Sequence, residues 1–332
     1  VLSPNWLGDA VLSLPALRDV QRSFPGKPVA VAARRSVAGL FRLVSGIDQV
    51  VALASSARWW TRAALRADVD ALGSYDLAIL FPNSFQSAWL VRRAGIPERW
   101  GYRTDLRSWL LTRAAPRQKG CHQAEYYQQL AKALGLTSEP AAPVIDVPEA
   151  TRLAAQALLA EHGRTPGGML VVLAPGAAYG KAKQWTPAHV ATLIDRLVRE
   201  RSAACVLVGT AADAGTVAEI RRALPTQTNE HVVDLVGRTS LEMLAGVLAS
   251  ADVCVCNDSG AMHLAAAVGA RVVATFGPTN EQATRPLPRP HRRADVLTHP
   301  VFCRPCMLRE CPIDHRCMTG LMPDRVFETL VR

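Results

Sequence analysis

The sequence predicts an α/β protein of two similar halves, and three observations carry that prediction. Short β-branched runs alternate with amphipathic stretches of about ten to fifteen residues from one end to the other, the pattern of βα units around parallel sheets. The chain has 332 residues, long enough for two domains that each bury a core. The rhythm breaks once, over 135–148, where three prolines (Pro140, Pro143, Pro148) stand in a stretch with little periodicity. The linker is placed there, which sets the domains at 1–148 and 149–332.

In the first half the strand candidates are 1–4, 29–33, 49–53 and 76–81, with helices over 9–24, 62–72 and 122–134. The second half restarts the pattern, with strands at 169–174, 204–208, 232–235, 253–257 and 271–276. Helices are expected between them at 187–200, 213–224, 241–249 and 261–268. Two such halves imply a cleft, with ligands outside the carboxyl ends of the strands.

Composition narrows the class. With 49% hydrophobic and 20% charged residues, the chain reads as globular rather than disordered or fibrous. Its apolar runs, such as 169–175 and 272–276, fall far short of the roughly 20 residues a membrane span needs. No secretory signal pattern opens the sequence, so a cytoplasmic protein is expected. The net charge of +10 is compatible with a solubilising surface. Yet Arg92, Arg93, Arg99, Arg103, Arg107, Arg113, Arg117 and Lys119 face only Glu98 and Asp105 as opposing charge. Such a stretch suits an anionic acceptor or membrane surface. No nucleic-acid-binding motif accompanies it, and no nucleic-acid partner is expected.

Three strand-to-helix junctions hold the candidate chemistry. At Asn257-Asp258-Ser259-Gly260-Ala261-Met262-His263, the unpaired N–H groups and positive dipole of a helix start would let Ser259, Gly260 and Ala261 hold a diphosphate. The alternative is an ordinary N-cap supplied by Asp258 or Ser259. Pro175-Gly176-Ala177-Ala178-Tyr179-Gly180-Lys181-Ala182-Lys183 superficially resembles a P-loop. It has one residue too few between its glycines, and Ala182 stands where Ser or Thr would hold magnesium. A phosphate-transferring NTPase is rejected, though Lys181 or Lys183 can present a cation to a departing diphosphate. A loop with solvated lysines is the plain alternative. At Asn5-Trp6-Leu7-Gly8-Asp9, Asp9 is either a helix-capping carboxylate or a general base. Asp68-Val69-Asp70 is dismissed as a metal motif, because residues two apart on a helix diverge, and is read as solvated surface. No Gly-x-Gly-x-x-Gly is present, which argues against a nicotinamide or flavin cofactor.

Of eight cysteines, Cys303, Cys306, Cys311 and Cys317 fall within one short stretch that also contains His315. In a reducing compartment this spacing would bind zinc or iron, or form a reduced cysteine-rich loop. Cys205, Cys254 and Cys256 lie in apolar strands and read as core.

Together these segments resemble the heptosyltransferase family of lipopolysaccharide synthesis over nearly the whole chain. Residues 5–15 resemble its opening Gly-Asp segment, 173–187 its Pro-Gly…Lys-x-Trp loop, and 257–279 its Asp-Ser-Gly-x-x-His helix start with Phe-Gly-Pro-Thr behind it. The cysteine-rich tail is similar too, and the pattern is closer to the subgroup that adds the second heptose. The resemblance implies a GT-B fold, two Rossmann-like domains with acceptor bound by the first and nucleotide sugar by the second. It implies inverting transfer from ADP-heptose to the lipopolysaccharide core at the inner face of the membrane. It places Asp9 as base, Lys183 at the diphosphate, Ser259, Gly260 and Ala261 as amide cradle, and Asp258 and His263 at the donor site. It also implies that no metal is required for catalysis if lysine and helix dipole stabilise the leaving group. Three rivals remain open: a relative that adds the first heptose or uses another acceptor, protein included; a sugar-nucleotide epimerase; and a nucleotide-binding protein without chemistry.

Overall fold

The computed structural model describes residues 1–54, 61–118, 120–164 and 167–332, so Lys119 of the basic stretch lies outside the described residues. The chain divides into two compact units, 1–146 and 147–332. Among the described residues, no helix is long and apolar enough to cross a membrane.

In the first unit, β1 (Ala30–Arg34) pairs in parallel with β2 (Gln49–Leu53). A second parallel group orders β3 (Leu77–Leu80), β4 (Glu98–Tyr102) and β5 (Arg113–Ala115). The segment 1–4, expected as a strand, contributes single bridges at Leu2, to Ala32 on one side and Leu80 on the other. Those bridges join the two groups into one surface; Pro4, without an N–H, cannot extend the ladder.

The helix expected over 9–24 is two helices, Leu7–Leu12 and Leu14–Ser23. Pro15 sits in the first turn of the second, where a missing N–H is harmless, whereas inside one continuous helix it would break a hydrogen bond and clash.

The second unit is a six-stranded parallel sheet in the order β11-β10-β9-β6-β7-β8. These strands are β6 (Leu170–Ala174), β7 (Ala204–Leu207), β8 (Val232–Asp234), β9 (Val253–Asn257), β10 (Arg271–Phe276) and β11 (Ala294–Thr298). Both β6 and β9 are buried along their full length, as expected for strands covered on both faces. Since β7 and β8 lie on one side of β6 while β9, β10 and β11 lie on the other, the connections leaving β6 and β9 diverge. That divergence is a topological switch point, where open α/β sheets bind ligands. The first unit has its own switch point, after Leu2 and after β3.

Two surface expectations are corrected. Arg107 belongs to no surface that could meet an anionic partner: it is fully buried. Its guanidinium donates to the carbonyls of Tyr102, Pro82 and Ser84 and to Ser87 Oγ, and burial pushes its pKa down to about 10. Arg99 is likewise spent on the carbonyls of Leu110, Ile96 and Pro97, which leaves Arg92, Arg93, Arg103, Arg113 and Arg117 as exposed cations of the stretch. Asp68, read as solvated, is buried and accepts from Ala54 N–H at 2.6 Å just beyond β2; Asp70 is exposed.

Candidate active site

At the switch point of the second unit, the loop after β6 and the turn after β9 are tied together by one buried side chain. Asn257 Oδ1 accepts from Trp185 N–H (2.9 Å) and Thr275 Oγ1 (2.9 Å), and its Nδ2 donates to Pro175 O (2.6 Å). Both ends of the loop are therefore pinned to β9. Trp185, itself buried, donates its indole N–H to Leu321 O and anchors the loop's exit in the core. Close approach is needed at Gly176, where a Cβ would stand 2.2 Å from Asp213 Oδ1.

This framework brings Lys183 to Asp258. Lys183 Nζ lies 2.6 Å from Asp258 Oδ2, with the two side chains 12% and 5% exposed. Thr279 Oγ1, just past the end of β10, donates to the same carboxylate oxygen at 2.6 Å. The Tyr179 ring faces the ammonium, 4.6 Å from Nζ, a cation–π contact. Lys181, two residues away, is exposed.

The helix that starts beside this pair, Gly260–Val268, has Ser259 as N-cap with no side-chain hydrogen bond to its first turn. Asp258 engages Lys183 and Thr279, so the ordinary capping arrangement is not built. Ser259, Gly260 and Ala261 are partly open to solvent, whereas the rest of the helix, His263 included, is buried. Uncapped N–H groups, the positive end of a helix dipole and a lysine together form an anion site.

In the first unit, Asp9 lies in the first turn of Leu7–Leu12, whose N-cap Trp6 makes no side-chain cap. The Tyr127 hydroxyl donates to Asp9 Oδ1 at 3.3 Å. Tyr127 is buried, and desolvation, reinforced by the Asp9 carboxylate, holds its phenol well above its usual pKa, so it stays a donor.

Residues 63–316, most of the chain, match the family model for glycosyltransferase family 9 (heptosyltransferase). The chain belongs to this family. It is 29% identical to lipopolysaccharide heptosyltransferase 2 of Escherichia coli, across 99% of this chain and 96% of that one. With lipooligosaccharide heptosyltransferase 2 of Haemophilus influenzae it shares 29% over 86% of this chain and 85% of the relative. Among solved structures, E. coli ADP-heptose heptosyltransferase II superposes with a TM-score of 0.82 at 28% identity, covering 99% of this chain and 96% of that one. A second E. coli heptosyltransferase, solved with ADP, reaches 0.75 at 22% identity over 99% and 98%, and supports the fold. The fold is GT-B, with two Rossmann-like domains.

The metal expectation for this family 9 glycosyltransferase gains no support from the fold. Cys303, Cys306, Cys311 and Cys317 line one small cavity, but among the described residues no group of three or more His, Cys, Asp or Glu side chains is placed to hold a metal ion. Cys317 is buried in the apolar core cluster, Cys311 is exposed and accepts from His315 N–H, and the His315 ring turns to Ala182 O. Cys205, Cys254 and Cys256 are buried in the sheet.

Sequence reasoning missed the roles of Asn257, Thr279, Tyr127 and Tyr179. Asn257, a polar residue closing an otherwise apolar strand, is the one with a readable signal, since buried polar groups need partners.

Proposed function

We propose that the chain transfers heptose from ADP-L-glycero-D-manno-heptose to the inner core of lipopolysaccharide, adding the second heptose with inversion at the anomeric carbon. The observation that carries this reading is the Lys183–Asp258 pair beside the uncapped start of Gly260–Val268, an anion site at the sheet's switch point. The family and the two heptosyltransferase 2 relatives support the donor and the acceptor.

The second unit, 147–332, binds the nucleotide sugar and the first unit the acceptor. Asp9, as carboxylate, takes the proton from the acceptor hydroxyl while that oxygen forms its bond to the anomeric carbon. The bond from that carbon to the diphosphate breaks and its electron pair leaves on the phosphate oxygen. Lys183 and the N–H groups of Ser259, Gly260 and Ala261 meet this developing charge, so the step needs no metal. Asp258 holds Lys183 in place, and His263 completes the donor pocket. The acceptor is reached at the inner face of the membrane. Exposed Leu106 (90%) and Trp109 (64%), on the unit that carries Arg92 and Arg93, supply the apolar and cationic groups such a surface binds.

The test is incubation with ADP-heptose and lipopolysaccharide truncated after one heptose, read by mass spectrometry. Gain of one heptose is expected. Transfer only to core lacking any heptose would move the activity to the first heptose, and conversion of free ADP-heptose to an epimer without acceptor would end the transferase reading.

A further inference from the structure

The cysteine-rich segment 303–317 holds no metal-ready cluster, yet it makes a dense set of polar contacts, and these converge on one place. Ala182, the residue before Lys183, has both backbone groups bonded to it. Its N–H donates to Arg309 O (3.0 Å), and its carbonyl accepts from His315 Nε2 (2.7 Å), which fixes the ring as the Nε2–H form or as the cation. Tyr179, whose ring faces Lys183 Nζ, donates its hydroxyl to Met307 O (2.7 Å). At Gly180 a Cβ would stand 2.3 Å from Arg309 O, so the two backbones are in direct contact.

The same segment grips the other side of the ion pair. Met307 N–H donates to Pro278 O (2.9 Å), and Arg304 donates to the carbonyls of Gly277 and Thr279, next to the hydroxyl that bonds Asp258. Two of the contacting residues, Met307 (φ +58°) and His315 (φ +56°), are held in the left-handed region, a conformation that costs a non-glycine residue free energy and persists only where the surroundings impose it.

We propose that segment 303–317 is a clamp that positions Lys183 against the donor diphosphate, with His315 as the positioning residue. The proposal rests on the reading of Lys183 as the cation of the reaction. His315 touches no reacting atom; it acts through the carbonyl of Ala182. A lysine loop free to drift would lose its aim, and a displacement of about 1 Å at a reacting centre costs on the order of 10²-fold.

The test compares His315→Ala and His315→Gln in the full chain, with ADP-heptose and the truncated acceptor. His315→Ala is expected to lower kcat by about 10-fold or more, with the donor KM nearly unchanged, while Gln, which keeps an N–H donor, restores most of the turnover. In a Lys183→Met background the same substitution should change residual kcat by less than about twofold, because coupled residues are not additive. Amide exchange at Ala182 and Lys183 should speed up in His315→Ala irrespective of any activity. Unchanged exchange, or faster exchange with unchanged kcat, overturns the clamp; so does an undiminished kcat effect in the Lys183→Met background. Full activity of Lys183→Met alone would instead remove the reading of Lys183. If His315→Ala does not fold, Tyr179→Phe, which deletes only the bond to Met307 O, must show the faster exchange and the lowered kcat.

Discussion

Replacing Lys183 by Met separates two roles that the geometry assigns to one side chain. The ammonium lies 2.6 Å from Asp258 Oδ2 with both groups nearly withdrawn from water, so removing it leaves a buried carboxylate with the Thr279 hydroxyl but without a counter-charge. Breaking such a pair from one side costs about 3–5 kcal/mol. For a unit the size of 147–332, each kcal/mol moves the midpoint by roughly 2–4 °C, so its thermal unfolding should fall by about 6–20 °C. Asp258→Asn removes the stranded charge, and the Lys183→Met/Asp258→Asn double variant should recover most of that loss. Turnover should not recover: losing a principal stabiliser of the leaving diphosphate lowers kcat by about 10²–10³-fold, and the double variant still lacks it. Calorimetry reads the first quantity and ADP release the second. A double variant that regains wild-type turnover would show that Lys183 serves only to neutralise Asp258, and a Lys183→Met protein melting with the wild type would refute the burial argument itself.

Three further outcomes follow from other parts of the molecule. Asp9→Asn should lower kcat by about 10²-fold or more, with ADP affinity measured by calorimetry unchanged; normal turnover would remove Asp9 from the chemistry. Arg107→Lys replaces a fork that reaches three carbonyls and a hydroxyl by a single ammonium, and urea unfolding should report a loss of about 1–3 kcal/mol. Burial lowers the pKa of His189 below the ordinary histidine value of 6.5, so the unfolded chain binds the proton more readily than the folded one. Stability from this group is full above about pH 6.5 and is lost as pH falls through the lower folded value, and His189→Gln should flatten that part of the pH–stability curve.

The parallel sheet of the second unit was legible because its strands are buried on both faces and read as apolar runs: β9 and β10 appear in the sequence with the bounds they have in the fold. β4 was not, since Glu98-Arg-Trp-Gly-Tyr102 carries two charges and lies inside what reads as a basic surface stretch. Its charges serve local structure: Glu98 accepts from Trp100 Nε1 and Thr112 Oγ1, and Arg99 closes loop carbonyls. The same ambiguity hid Arg107. A sequence shows that a cation exists and cannot show whether water or three backbone oxygens and a hydroxyl surround it. At the candidate site, the junctions carrying Asp9, Lys183 and Asp258 were readable as strand ends opening into helices, whereas their partners come from distant positions. Tyr127 is 118 residues from Asp9 and Thr279 is 21 from Asp258.

Those distant partners explain how loops can serve as precise chemical groups. Loop backbones are the most mobile parts of a fold unless their polar groups are tied down. Here each unit ties them with one buried polar side chain: Arg107 gathers the carbonyls of Pro82 and Ser84 behind β3, and Asn257 gathers both ends of 175–185 behind β6. Unpaired donors on a buried amide or guanidinium are costly, so the loop conformation that pairs the Asn257 amide, and Nε and Nη1 of Arg107, is favoured over its neighbours, although Arg107 Nη2 stays without a partner. The lysine loop carries the further hold of His315 and Arg309 on Ala182. Electrostatic stabilisation of a leaving group is effective only when the charge is already in place, because reorganisation at the moment of bond breaking would consume the gain. In the proposed reaction, the polar residues that never touch a substrate are therefore part of what would make Lys183 able to act.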